Sequence, residues 1–488
     1  MQNQPDHPTP FQSPRLGRRS ALVGSVGLGL AAVLPANRSS AMEAAPRVLR
    51  AAPAEVPLLG EGYPKTAVWG FDGQVPGPEL RVRQGHMLRV ELRNELPEPT
   101  TIHWHGLRVP HAMDGVPHLT QPPVPPGGRF TYAFRCEDAG TFWYHPHANS
   151  PEQLGRGLAG ALIVEEPAGS APAVDRDVTW LLSDVRVGPD AAIRDDFRNV
   201  RDISHAGRLG NAVMINGRVP QGGFAVRAGE RLRLRLINAA NARVFALTFE
   251  GHAPLVIALD GHPVAPHGPE GGRVLLGPGM RADLILDMTG APGARFAVTD
   301  SFFPRGSYRL TELAYSDAAS MRAAPLPALA MLPPNPLPEP VLDACALRVE
   351  IAFGGGMMGG LQEATLDGER LGLRDLLRRG MAWAVNGVVM AGHHHAPLFT
   401  LARGQSCVVT LRNATAWWHP IHLHGHTFRV LSRNGAATAY REWRDTMLMA
   451  PREEVEIAFV GDNPGDWMLH CHVLEHHAGG MGGVFRVA

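Results

Sequence analysis

The chain has 488 residues, 44% of them hydrophobic and 19% charged, and its 46 basic and 46 acidic side chains balance to a net charge of +0. That length allows about three domains with sizeable cores, and the charge balance gives no basic face for nucleic acid and no field for a strongly acidic partner. With 55 glycines and 43 prolines the chain reads as all-β with many turns rather than helical.

The N-terminal stretch SPRLGRRSALVGSVGLGLAAVLPANRSSA carries Arg18-Arg19, a Gly/Ala-rich apolar run and the small residues Ser39, Ser40 and Ala41. It predicts a twin-arginine signal over 1–41, hence export to the periplasm of a protein folded beforehand. The apolar run is short and diluted by glycine, and no second hydrophobic span follows, so no stable membrane insertion is expected.

From Phe71 the chain reads FDGQVPGPELRVRQGHMLRVELRNEL: a turn at Asp72-Gly73, an alternating strand, a glycine turn at Gly85 and a second alternating strand closed by Asn94. PTTIHWHGLRV then puts His103 and His105 on one strand face. Asp114 follows in HAMDGVPH, and GTFWYHPHANS supplies His145 and His147. The frame returns at Ile215 (turn Asn216-Gly217, then Gly229 and Asn238), but ARVFALTFEGHAPLV after it has no HxH pair. It returns again at Val385 (turn Asn386-Gly387, then Gly404 and Asn413), followed by AWWHPIHLHGHTFRV with His422 and His424 on one face and His419 set apart. Three copies predict three β-sandwich domains in tandem, at 42–166, 167–325 and 345–488, with the proline-rich 326–344 as an extended linker. One short helix is expected in EATLDGERLGLRDLLRRG.

Near the C-terminus, WMLHCHVLEHHAGGMGG holds His470, Cys471, His472, His476, His477 and Met481. The lead-in is apolar and β-prone, so on a strand His470 and His472 face one way and Cys471 the other. A soft thiolate joined by imidazoles with a thioether nearby is the His2Cys-plus-Met donor set of a blue-copper centre, whereas zinc sites usually recruit CxxC pairs, absent here. The outer domains supply four HxH-type pairs, eight imidazoles in all, about what a three-copper cluster shared between domains one and three needs. With Cys471 as a ligand, Cys136, Cys345 and Cys407 allow at most one disulfide; buried free thiols are expected, with a Cys136–Cys407 bridge left open.

HWHG, WYHPH, HPIHLHG and HCHVLEHHAGGM resemble the four copper motifs of the multicopper oxidases, the family of laccases, bilirubin oxidases and bacterial cuprous oxidases, and the resemblance spans essentially the whole mature chain. It implies cupredoxin-like Greek-key sandwiches, with no copper in the middle one. It also implies four copper ions: a type 1 ion on His419, Cys471 and His476 with Met481 as weak axial ligand; a type 2 ion on His103 and His422; and a type 3 pair on His105, His145 and His472 and on His147, His424 and His470. The implied chemistry is one-electron oxidation of a reductant and reduction of dioxygen to water, with Asp114 delivering protons. At His477 related bacterial enzymes often carry an acidic residue, so either this imidazole relays protons instead or the path differs. A monomer is expected.

Substrate choice is less marked. Thr415, Ala416, Trp417 and Trp418 stand where the cuprous oxidases would want a Met and an Asp, and aromatic walls favour phenolic or other organic donors. Against that, Met357, Met358, Met381, Met390 and His393–His395 offer thioethers and imidazoles suited to Cu(I). The organic donor is the preferred reading and a periplasmic cuprous oxidase the alternative. A copper-free scaffold would require lost ligands, and none is lost. Met447 and Met449 alternate on a strand and read as packing.

Overall fold

The computed structural model describes residues 46–322, 327–392 and 396–488; the segment 1–41 expected to be an export signal and His393–His395 lie outside the described residues. The described residues form one compact unit. The chain is all-β, with cupredoxin-like sandwiches. Among the described residues the longest helices have six residues, and one of them, Leu373–Arg378, falls in the segment expected to be helical. No described helix is long and apolar enough to cross a membrane.

The sheet pattern occurs three times. In each copy a strand lies parallel to the one that ends on the repeated asparagine: Arg47–Val56 beside Met87–Asn94, Arg176–Val185 beside Arg231–Asn238, and Leu347–Gly355 beside Ser406–Asn413. A second sheet faces each of these, again with one parallel pair at its edge: Gly77–Arg83 with Gly160–Glu165, Phe224–Val226 with Tyr308–Tyr315, and Thr400–Leu401 with Gly482–Val487. Apolar residues of alternating strands from both sheets fill one core per pair, around Trp104 and Tyr132, around Trp180 and Phe245, and around Trp383 and Trp467.

The repeat is physical as well as textual. Both residues of each opening turn, Asp72-Gly73, Asn216-Gly217 and Asn386-Gly387, have positive φ, the geometry of a type I′ turn whose twist suits the flanking strands. Asn94, Asn238 and Asn413 are buried, and each does the same job. The side-chain amide donates to two backbone carbonyls while Oδ1 accepts the N–H two residues on. No aliphatic residue could satisfy those three main-chain groups, and leaving them unmet in a core is costly.

The proline-rich segment has neither helix nor strand over 327–342, and it is tied down. Asn335 Oδ1 accepts from Ala139 N and Asn335 Nδ2 donates to Ala139 O, both at 2.8 Å. The cysteines are all free thiols; Cys136 and Cys407 are buried as expected, whereas Cys345 is exposed, because the turn before strand Leu347–Gly355 lies at the surface.

Candidate metal centres

Strand alternation assembles two adjacent groups of buried donors. In the third sandwich His419–Leu423 pairs with Gly465–Cys471, placing Ile421 opposite Cys471 and His422 opposite His470. His419 and His422 are three positions apart, an odd number, so they leave the strand on opposite faces. On one face Cys471 Sγ lies 3.5 Å from His419 Nδ1 and 3.6 Å from His476 Nδ1, and the two nitrogens are 3.1 Å apart. Three donors each roughly 2.0–2.3 Å from a single ion would have about these separations. Met481 is fully buried; its N–H donates to His476 O and its carbonyl accepts from Cys471 N, so the thioether residue is held beside both ligands.

The other face holds the eight paired histidines. His105, His145 and His472 have ring centroids 4.9–5.8 Å apart, and His147, His424 and His470 5.0–5.2 Å apart. His103 and His422 lie 5.7 Å from each other, each stacked on a member of one trio: His103 on His424 at 4.0 Å and His422 on His105 at 3.8 Å. His103 and His145 are opposite one another in the pairing of His103–His105 with Gly140–His145, while Trp104, one residue on, turns into the first core. Trp143 stacks on His145 at 4.3 Å and walls the group.

A bound metal fits these residues on two counts. Outer ring nitrogens are fixed as donors by acceptors that can only accept: His103 Nδ1 to Asp114 O, His145 Nδ1 to Pro146 O, His422 Nδ1 to Asp445 O and His470 Nδ1 to Cys471 O. Their inner nitrogens therefore present lone pairs. His103 Nε2, His145 Nε2, His422 Nε2, His105 Nδ1 and both nitrogens of His472 are buried without a hydrogen-bond partner among the described residues. His424 Nδ1 donates to the Asp114 carboxylate, so His424 Nε2 and His470 Nε2, 3.0 Å apart, meet lone pair to lone pair. A cation between them resolves that repulsion, and the second-sphere acceptors are those that orient metal-bound histidines.

Electrostatics agree. Burial first, then neighbouring imidazoles, holds His105, His145, His147, His424, His470 and His472 well below the ordinary histidine range. Burial likewise holds His419 well below that range and takes His476 down to about 3. All are neutral at neutral pH, the form that binds metal. Burial pushes the Cys471 thiol up, so a thiolate here needs a cation beside it.

Two carboxylates serve the cluster, and only one was legible in the sequence. Asp114 is fully buried; Oδ2 lies 2.9 Å from His424 Nδ1 and Oδ1 3.2 Å from His103 Nδ1, so it spans the two sandwiches. Asp445 was missed: its Oδ1 lies 3.2 Å from His105 Nε2 and 3.4 Å from His422 Nδ1. Burial would raise its pKa, but Arg281 and the histidine N–H groups outweigh that and hold it well below the carboxylate range. Its only sequence signal is an aspartate before a strand, in REWRDTML, which nothing local distinguishes from a turn residue.

His477 packs on His470 at 4.4 Å and His147 at 5.3 Å, and lines a cavity of about 410 Å3 with His147, Glu98, His118 and Met390. At the Cys471 group, His476 Nε2 donates to the backbone carbonyl of His205 at 2.6 Å. The His205 ring meets Trp417 edge-on at 5.4 Å, and Trp417 Nε1 donates to Met357 O. Trp417 and Met357, set against each other as alternatives in the sequence, thus share one surface. Met390 lies instead at the cavity beside His477 and Met381 packs near Leu376, so the methionines do not form one group. Met447 and Met449 are core residues.

Sandwiches carrying a buried Cys/His2 centre next to an eight-histidine cluster define a metal-dependent redox protein whose donor set is that of copper. The chain belongs to the multicopper oxidase family, whose models match residues 55–169, 176–315 and 373–488. It is therefore a copper-dependent oxidoreductase that uses dioxygen and a reductant. It is 29% identical to the multicopper oxidase MmcO of Mycobacterium tuberculosis, over 96% of each chain. It is also 28% identical to a laccase of Neurospora crassa, over 87% of this chain and 75% of that one. The solved multi-copper oxidase of Pseudomonas thermotolerans superposes with a TM-score of 0.78 at 36% identity, covering 91% of this chain and 99% of that one.

Proposed function

We propose that the chain is a laccase-type oxidase of three tandem cupredoxin domains, exported to the periplasm. His419, Cys471 and His476 with Met481 would hold a type 1 copper, His103 and His422 a type 2 copper, and His105, His145, His472 and His147, His424, His470 a type 3 pair. Copper bound there supplies one-electron oxidation of a reductant and four-electron reduction of dioxygen to water. The observation that carries this is the wiring of one strand end: Cys471 belongs to one donor group, its chain neighbours His470 and His472 belong to the other, and Cys471 O accepts from His470 Nδ1 at 2.9 Å. Cys471→Ser should abolish the blue colour and turnover yet leave the other copper bound; colour surviving in that variant rejects the assignment.

For the reductant, the support lies at His476. Both imidazoles of the Cys471 group are fully buried and His476 Nε2 is covered by the His205 carbonyl, so a donor gives up its electron across the His205–Trp417 surface rather than by touching a ligand. Trp417 and the exposed Trp418, packed edge-on to Phe302, favour a flat organic donor such as a phenol. Exposed Met357 and Met358 at the same surface are what favours the second reading, a cuprous oxidase. Trp417→Ala should raise KM for phenols while leaving Cu(I) oxidation little changed. Strong activation by added Cu(II), with efficient Cu(I) oxidation and unaltered phenol kinetics in the variant, reverses the choice.

Protons have a route in the same reading. The Asp114 carboxyl, with Oδ1 beside His103, and the His477 imidazole, between the cavity and His147, are the groups that relay protons inward.

A further inference from the structure

The middle sandwich carries none of the proposed ligands, yet it reaches the cluster through one side chain. Arg281, on the strand Arg281–Asp287, is fully buried, and each of its five N–H groups has an acceptor. Nε donates to Thr141 O at 3.1 Å; Nη1 to Gly279 O at 3.2 Å and Asp445 Oδ1 at 2.7 Å; Nη2 to Asp260 O at 2.9 Å and Asp445 Oδ2 at 2.5 Å. The guanidinium thus joins strand Gly140–His145 of the first sandwich, its own sandwich and Asp445 of the third.

Downstream of this fork the contacts lead to histidines. Thr446 Oγ1 donates to Asp445 Oδ1 at 2.7 Å and lies 3.0 Å from His105 Nε2 and 3.1 Å from His422 Nδ1. The backbone is shaped to the fork: a Cβ on Gly106, directly after HWH, would sit 2.2 Å from Arg281 Nη2 and 2.6 Å from Asp445 Oδ2. Gly279, three residues from the strand's second position, presses on the cluster itself, where a Cβ would meet His105 and His472 at 2.9 and 3.0 Å.

We propose that Arg281 is a positioning residue for the metal cluster: by locking Asp445 from the middle sandwich it fixes the outer N–H of His105 and of His422, and so aims His105 Nδ1 and His422 Nε2 inward. The inference rests on the reading of the eight histidines as a copper cluster. Lysine cannot replace the arginine, since an ammonium is a point donor with three N–H groups and cannot clasp both carboxylate oxygens while meeting three carbonyls.

The test uses the full copper-loaded chain in four forms: wild type, Arg281→Lys, Asp445→Asn and, as a control for weakening the same sheet, Arg231→Lys, whose Arg231–Asp287 pair lies away from the cluster. Copper retention is read by chelator competition, the type 2 and type 3 signatures by electron paramagnetic resonance and near-ultraviolet absorption, and the blue band reports the Cys471 group in the same sample. Arg281→Lys and Asp445→Asn should keep the blue band and hold cluster copper about 10- to 100-fold more weakly, with altered type 2 resonance, while Arg231→Lys matches wild type. Wild-type copper affinity and resonance in Arg281→Lys overturn the proposal and leave the residue as a tie between sandwiches. Loss of blue band and cluster together also overturns it. Should Arg281→Lys fail to fold, the nearly isosteric Asp445→Asn decides by the same readings. A wild-type chain that binds no cluster copper rejects the cluster reading itself, which the other outcomes leave standing.

Discussion

Single residues at the cluster divide by what their neighbours force on them. His103 and Asp114 are eleven positions apart in sequence, and the short segment between them folds back so that one aspartate offers its carbonyl to His103 and its carboxylate to His424, from a different sandwich. A residue so placed orients two imidazoles and, in the proposed function, stands where protons are consumed. Asp114→Asn keeps the shape and removes the titratable carboxyl, so reduction of the blue centre by substrate should proceed at the wild-type rate while reoxidation by dioxygen slows, by about 10-fold or more. Stopped-flow reoxidation at wild-type speed would remove Asp114 from proton delivery. Asp114 was legible because a motif carries it; Asp445 was not, because its partners His105 and Arg281 lie far away in the chain.

Elements were read from the sequence with more success. Period-2 alternation correctly sent Cys471 away from His470 and His472, even though the strand ends at Cys471 and His472 is held beyond it by its N–H to Pro420 O at 2.6 Å. The repeat predicted turns that prove to be of one type, and the recurring asparagine proved to be a buried bracket at the end of each second strand. The methionines were harder. Met357 and Met390 belong to segments on either side of strand Trp383–Val385, and pairing of that strand with Leu347–Gly355 sends one to the Trp417 surface and the other to the cavity at His477. Gly-rich loops have no periodicity from which such a parting could be read.

At the scale of the molecule, the sandwiches meet at polar groups as well as at the clustered histidines. His262 of the middle sandwich accepts from Asn335 of the proline-rich segment at Nδ1, 3.0 Å away, and its Nε2 faces Thr427 of the third sandwich at 3.4 Å. Burial pulls its pKa down to about 4, against the opposing pull of Asp138 and Asp445. The folded state therefore favours the neutral ring, and between the unfolded value of about 6.5 and about 4 the unfolded chain binds more protons. The stabilisation is complete above pH 6.5 and is lost as the pH falls toward 4, to the extent of about 3 kcal/mol. Protonation would set an N–H against the Asn335 amide. His262→Gln should flatten the acid-side fall in the melting temperature of the copper-free protein; an unchanged slope rejects the assignment. Glu475 adds a further tie, accepting from Arg208 N at 3.0 Å and Asn241 Nδ2 at 3.1 Å next to His476.

The sequence by itself determined the all-β class, the three repeated frames, and which histidines and which cysteine gather, because strand alternation and turn chemistry act over a few residues and leave their period in the text. Tertiary structure alone decided that Asp445 joins Asp114, that the middle sandwich reaches the histidine cluster through Arg281 and Gly279, and that the His205 carbonyl covers His476 while Trp417 packs on the His205 ring. Those outcomes depend on how three packed sandwiches dock. Docking sums many weak contacts between residues hundreds of positions apart, and no local pattern in the chain encodes it.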